Sequence, residues 1–150
     1  MKYSESVDVN KPRDQVAALL QDPACLPKWQ KGFVSIEALA GPPGEAGSTA
    51  RLDYAFGKRS ITMTETLIAT QWPESWIATY VASGVWNRQE NRLIAVSPQI
   101  TRWESDCEFR FATLPMKLMG WLMPGAFRKQ TRAYLADFKA FAESGQAAQP

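Results

Sequence analysis

Histidine is absent from all 150 residues, and that absence removes much of enzyme chemistry at neutral pH. Without an imidazole there is no His-based triad, no His-ligated zinc or haem, and no general base of the commonest kind. Cysteine is scarce as well. Cys25 and Cys107 lie far apart, form no C-x-x-C pair and are too few for a thiolate metal site. Neither a metal nor another cofactor is expected. The first residues, Met1 to Ser6, contain no apolar stretch of the kind that directs secretion. Two free thiols in a reducing cytoplasm are therefore expected.

Long hydrophobic runs are missing too. The longest, Leu114 to Phe127, is interrupted by Lys117 and Pro124 and falls short of the roughly 20 residues that span a bilayer. No transmembrane segment is expected. Charge of one sign is also lacking: 17 Lys and Arg stand against 15 Asp and Glu. The basic clusters have acids interleaved between them, so the dominant basic face of a nucleic-acid binder is absent. The glycine-rich segment 41–47 lacks the Gly-x-x-x-x-Gly-Lys-Ser/Thr spacing of a phosphate loop and reads as a hairpin connection.

What is present is aromatic and apolar. Hydrophobic residues make up 45% of the chain and six are Trp, enough to build one domain with a real core and no staples. Residues 1–150 are read as that single domain, with 144–150 a frayed tail. Oligomeric state has no signature in the sequence.

Along the chain, residues 2–9 alternate as a strand, with Tyr3, Glu5, Val7 and Val9 on one side. Asn10 reads as a helix N-cap and Pro12 as a first-turn proline, followed by a short helix carrying Val16, Ala17, Leu19 and Leu20. Asp22-Pro23 ends it, and Ala24 to Gln30 reads as a second short helix with Leu26 and Trp29. Strands follow at Phe33 to Leu39, Ser48 to Phe56, Arg59 to Thr70, Trp76 to Ala82 and Val85 to Val96, each set off by Gly, Pro or Ser turns. In the last strand, Ile100 to Phe111, charged Arg102, Glu104, Asp106, Glu108 and Arg110 alternate strictly with uncharged residues. One face lies in water and the other on a core. From Pro115 the period becomes helical, with Met116, Met119, Met123, Phe127, Tyr134, Phe138 and Phe141 on one stripe. Pro124-Gly125 predicts a kink or break within it.

This order resembles the START/SRPBCC superfamily, and within it the polyketide cyclase/dehydrase and lipid-transport-like bacterial proteins. The residues that carry the resemblance are Val7-Asp8-Val9-Asn10-Lys11-Pro12, Asp22-Pro23 with Leu26-Pro27-Lys28-Trp29, Gly47-Ser48-Thr49 and Met63-Thr64-Glu65-Thr66. The last helix adds Leu-Met-x-x-Leu-Met-Pro at Leu118 to Pro124 and Arg-x-x-Leu-x-x-Phe-Lys at Arg132 to Lys139. The resemblance spans residues 2–143. It implies an α+β helix-grip fold like that of START domains and the birch-pollen allergen, a curved antiparallel sheet of about seven strands around a long C-terminal helix. It also implies a cavity for lipids, quinones, polyketides or other hydrophobic molecules, held by carriers and enzymes alike.

The candidate wall of that cavity comes from inward strand faces and the last helix. It comprises Leu52, Tyr54, Phe56, Met63, Glu65, Tyr80, Asn87, Gln89, Asn91, Trp103, Cys107, Phe109, Met119, Met123 and Phe127. Glu65 faces inward if Ile61, Met63 and Leu67 do. The opposite parity, with Thr62, Thr64, Thr66 and Ile68 inside, leaves Glu65 outside as a solvated strand charge. On the sixth strand Arg88, Glu90 and Arg92 belong in water, which turns the amides Asn87, Gln89 and Asn91 inward.

Three functions remain open. The first is binding or transport of a hydrophobic small molecule. The second is a polyketide cyclase or dehydratase in which Glu65 or Tyr80 moves protons. The third is an interaction module that docks its Met/Trp-rich segment 116–127 on a protein or, peripherally, on a membrane.

Overall fold

The computed structural model describes residues 1–145. Strand β1 (Lys2–Val9) leads to helix α1 (Arg13–Gln21), and a 3-10 turn at Pro23–Cys25 runs into the single-turn helix α2 (Leu26–Trp29). Six strands follow in succession: β2 (Phe33–Ala40), β3 (Thr49–Phe56), β4 (Arg59–Gln71), β5 (Ser75–Ala82), β6 (Val85–Ser97) and β7 (Ile100–Phe111). Helices α3 (Leu114–Leu122) and α4 (Pro124–Ser144) end the described chain. The seven strands form one antiparallel sheet in the order β1-β7-β6-β5-β4-β3-β2, so β1 closes on the last strand. A register shift between Leu67 and Ala69 bends β4, as an extra unpaired residue does.

Alternation in the sequence becomes two faces in space. On β7, Thr101, Trp103, Ser105 and Cys107 are buried. Their neighbours pair on the outer face, where Arg92 of β6 reaches Glu104 at 3.0 Å and Asp106 at 2.8 Å. The concave face is covered by α4, which presents Leu135, Phe138, Phe141 and Ala142 to it. Phe138 is fully buried and meets Trp29 and Trp103 edge-on, with ring centroids at 5.1 and 5.3 Å. Burying such a side chain stabilises the fold by roughly 1.5–3 kcal/mol, and the quadrupoles of edge-on rings add to that. Near its start α4 is held to β1 through Glu5, which accepts from Arg128 at 3.2 Å and Arg132 at 2.9 Å. This is the helix-grip arrangement, and its elements follow the expected order.

Local expectations need amendment in two places, at Asn10 and at Ser144, and the break expected at Pro124 is present. Asn10 does not cap α1. The N-cap is Pro12, and Asn10 instead donates through its backbone N–H (3.0 Å) and Nδ2 (3.3 Å) to Glu143 on α4. A tertiary partner outcompetes the local one. The C-terminal segment is two helices, with Met123 in a non-helical conformation (φ −129°, ψ 51°) and Pro124 opening α4. Proline lacks the N–H that would continue α3, and at the first position of α4 none is needed. Finally, Ser144 closes α4 and Gly145 adopts the left-handed C-cap at φ 70°, so the expected tail does not begin at 144. Residues 146–150 lie outside the described residues.

Candidate functional site

Space is left between α4 and the concave face of β3, β4 and β5. Two adjoining chambers result, of about 760 and 420 Å³. The larger opens beside the β2–β3 loop (Pro43, Gly44, Glu45) and the end of α1, and reaches inward to Trp72, Trp76 and Trp103. The smaller lies under the first turns of α4 and is walled by Phe56, Met63, Phe109 and Phe127. Gln30, Tyr54, Tyr80, Gln89, Trp103 and Tyr134 border both. A polar belt therefore separates two apolar spaces.

The belt is internally bonded. The Tyr54 hydroxyl donates to Gln30 Oε1 at 2.7 Å, and Gln30 Nε2 donates to the Tyr134 hydroxyl at 2.8 Å. This joins β3, the end of α2 and α4. Gln89 Nε2 donates to Asn87 Oδ1 at 2.9 Å, and Asn87 Nδ2 donates to the Glu108 carbonyl at 3.0 Å. Asn87 and Gln89 thus bond to each other and to the neighbouring strand.

Glu65 stands in the wall of the larger chamber. The pleat settles its parity: Thr62, Thr64 and Ile68 are exposed, whereas Ile61, Met63, Glu65 and Leu67 sit on the covered face. Glu65 pairs across β4–β5 with Tyr80 and across β3–β4 with Ala50. Burial raises its pKa above the ordinary carboxylate value, and the Tyr80 hydroxyl partly offsets that rise. Burial also drives the Tyr54, Tyr80 and Tyr134 phenols upward, with the Glu65 charge adding to the effect on Tyr80. The phenols stay protonated as donors around an acid that exchanges its proton more readily toward neutral pH. Among the described residues no group of three or more Cys, Asp or Glu is placed to hold a metal ion.

The candidate residues divide as follows. Leu52 and Glu65 line the larger chamber, and Phe56, Met63, Asn87, Phe109 and Phe127 line the smaller. Tyr54, Tyr80, Gln89 and Trp103 line both. Four others border neither chamber. Asn91 is buried and accepts from Trp103 Nε1 at 3.0 Å. Cys107 packs at the β1 side of the sheet opposite Tyr3, whose hydroxyl meets Thr131 at 2.6 Å and closes that side. Met119 and Met123 are half exposed, at 50% and 55%. The break at Pro124 turns α3 off the line of α4, so only Met116 and Gly120 of α3 face the body of the protein, against Gly84 and Phe111. The sequence predicts the break but carries the apolar stripe across it, and the change of axis turns Met119 and Met123 outward.

Two belt residues were not among the candidates. Tyr134 lies on the apolar stripe of α4 and is the hydroxyl-bearing residue among its Phe and Leu neighbours, which is a usable signal. Gln30 ends a single-turn helix and has no periodicity to betray it.

The sequence of residues 1–143 matches the model of a family described as polyketide cyclase/dehydrase and lipid transport. No curated protein matches the chain. Solved structures share its fold at low identity. A conserved protein from Geobacillus kaustophilus is 12% identical over 100% of both chains, with a TM-score of 0.78. The Zhui aromatase/cyclase from Streptomyces is 16% identical over 95% of this chain and 93% of its own, with a TM-score of 0.76. Norcoclaurine synthase from Thalictrum flavum, solved with dopamine and hydroxybenzaldehyde, is 14% identical over 91% of this chain and 84% of its own, with a TM-score of 0.64. At such identities the structures speak for the helix-grip fold alone. With the family model spanning nearly the whole chain, this protein belongs to the polyketide cyclase/dehydrase and lipid transport family of the START/SRPBCC superfamily.

Proposed function

We propose that the protein binds a hydrophobic small molecule whose apolar body fills the chambers and whose polar end meets the belt of Glu65, Tyr54, Tyr80 and Gln89. The observation that carries this reading is the cavity itself. Its larger chamber, at about 760 Å³, falls within the roughly 300–1,000 Å³ typical of small-molecule sites, and a few polar groups converge within apolar walls. Affinity comes from apolar area removed from water and orientation from the belt. Native mass spectrometry of protein purified from its own cells tests the reading. A co-purifying apolar molecule with an oxygen-bearing end supports it. Ligand-free protein in repeated preparations, inert to apolar probes, refutes it.

Glu65 favours a second reading, an enzyme of the cyclase or dehydratase type. An inward carboxyl with a raised pKa beside a protonated phenol suits proton transfer at carbon. As carboxylate, Glu65 would take a proton from a carbon next to a carbonyl, while Tyr80 or Tyr54 donates to the carbonyl oxygen. Returning the proton elsewhere on the substrate completes an isomerisation that precedes ring closure or loss of water. Glu65→Gln keeps shape and removes the base. Turnover of a polyketide-like substrate is expected to fall at least about a hundredfold with affinity nearly unchanged. Unchanged turnover in that variant eliminates Glu65 as the base.

A further inference from the structure

Helix α3 is built inside out. Leu114, Leu118, Trp121, Leu122 and Met123 are each more than half exposed, Leu114 at 79% and Trp121 at 78%. Its inward face amounts to Met116 on Gly84 and the buried Gly120, whose missing side chain leaves room for the Phe111 ring. A contiguous apolar surface of this kind, left in water, marks a docking site.

Charge identifies what docks. Between Glu108 and Asp137 the chain carries Arg110, Lys117, Arg128, Lys129 and Arg132 and no acid. Arg110 pairs with Glu108, and Arg128 and Arg132 pair with Glu5. Lys117 and Lys129 make no ion pair among the described residues. A second copy of the chain seated on this face would set like charges against each other. An anionic surface with an apolar interior complements both features: cations meet phosphates, Leu enters the acyl boundary, and the amphipathic Trp ring suits the headgroup layer.

We propose that α3 docks the protein peripherally on an anionic lipid bilayer, with Leu118, Trp121 and Leu122 in the headgroup region and Lys117 at the phosphates. Phe127, in the first turn of α4, walls the smaller chamber, so docking brings that chamber to the lipid surface. Loading of a ligand from the membrane would follow, and that consequence rests on the ligand-binding reading; the docking itself does not.

The test is flotation of the full chain with vesicles of phosphatidylcholine plus phosphatidylglycerol, against phosphatidylcholine alone. Affinity for the mixed vesicles is expected to be at least about tenfold higher and to weaken as salt screens the charges. Leu118→Ser combined with Trp121→Ser is expected to lower it about tenfold or more. Lys117→Glu combined with Lys129→Glu, which leaves the apolar face intact, is expected to remove the preference for anionic vesicles. Absence of binding to mixed vesicles overturns the proposal, as does binding that neither pair of substitutions weakens. A concentration-dependent dimer that Leu118→Ser/Trp121→Ser dissolves, without lipid binding, assigns the face to a second copy instead. Apolar-probe affinity measured on the same variants is expected to be unchanged. Its absence in the unmodified protein would count against the ligand reading and leave the vesicle result to decide docking alone.

Discussion

At the scale of single residues, Glu65 is the most telling position. A carboxyl whose pKa is higher folded than unfolded binds its proton more tightly in the native state. The resulting stability is fully present below the unfolded carboxylate pKa and is lost as pH rises through the raised folded value. Glu65→Gln removes that dependence. The variant is expected to melt above the unmodified protein at neutral pH, with the difference closing as pH falls and Glu65 takes up its proton. Thermal melts across that range check this, and a variant less stable at neutral pH would contradict the buried placement. Asn91 makes a different point. Its Oδ1 accepts from Trp103 Nε1, while its own Nδ2 is buried and has no partner among the described residues. Asn91→Ala orphans the indole N–H, which costs roughly 1–3 kcal/mol, with relief of the unpaired amide holding the loss near the low end. A urea titration reads it directly.

These two residues also show what sequence can and cannot supply. Alternation told that Asn91 points inward but not that a Trp claims it. For Glu65 the alternation Ile61, Met63, Leu67 competed with Thr62, Thr64, Ile68. Only the pairing register with β3 and β5 decides between them, and pairing is a long-range property.

At the scale of elements, the strands were the most legible part. Their two-residue period and Gly-marked turns survive because each strand has one wet face and one dry face. The long helix of the grip was legible in its second half, where Tyr134, Phe138 and Phe141 recur on one face. In its first half the break at Pro124 was legible but the direction of α3 was not, because periodicity carries no information about axis direction across a proline. Packing at the two halves differs accordingly. Phe138→Ala is expected to cost about 3–5 kcal/mol, since it empties a site walled by Trp29 and Trp103. Gly120→Val acts elsewhere. A Cβ there would sit 2.7 Å from the Phe111 ring, and a branched side chain cannot be accommodated by a small ring shift. Hydrogen exchange is expected to quicken over 112–123 and to stay unchanged in β5 to β7. Equal protection of α3 in the variant would show that the helix is held by contacts other than these.

At the scale of the whole molecule, the sheet and α4 enclose space without filling it. Trp29, Trp76 and Trp103 of the core line the larger chamber, which the β2–β3 loop and the end of α1 also border. No helix among the described residues is long and apolar enough to cross a membrane, and α3 offers the exposed apolar face discussed above. The order of elements foretold this architecture well. The belt that divides the cavity was half legible: its strand residues followed from parity, whereas Gln30 and Tyr134 come from helices whose approach to the sheet is set by tertiary packing.

The central claim is that the cavity, and not the surface, holds an apolar ligand. Fluorescence titration with N-phenylnaphthylamine of the unmodified protein and of Ala50→Trp, which fills the larger chamber beside Glu65, tests it most directly. Saturable binding to the unmodified protein is predicted. Affinity should be roughly tenfold or more weaker in the variant, a loss of about 1.4 kcal/mol or more, with both proteins equally folded by circular dichroism. Equal affinity in the two proteins, or no saturable binding to the unmodified one, would contradict it.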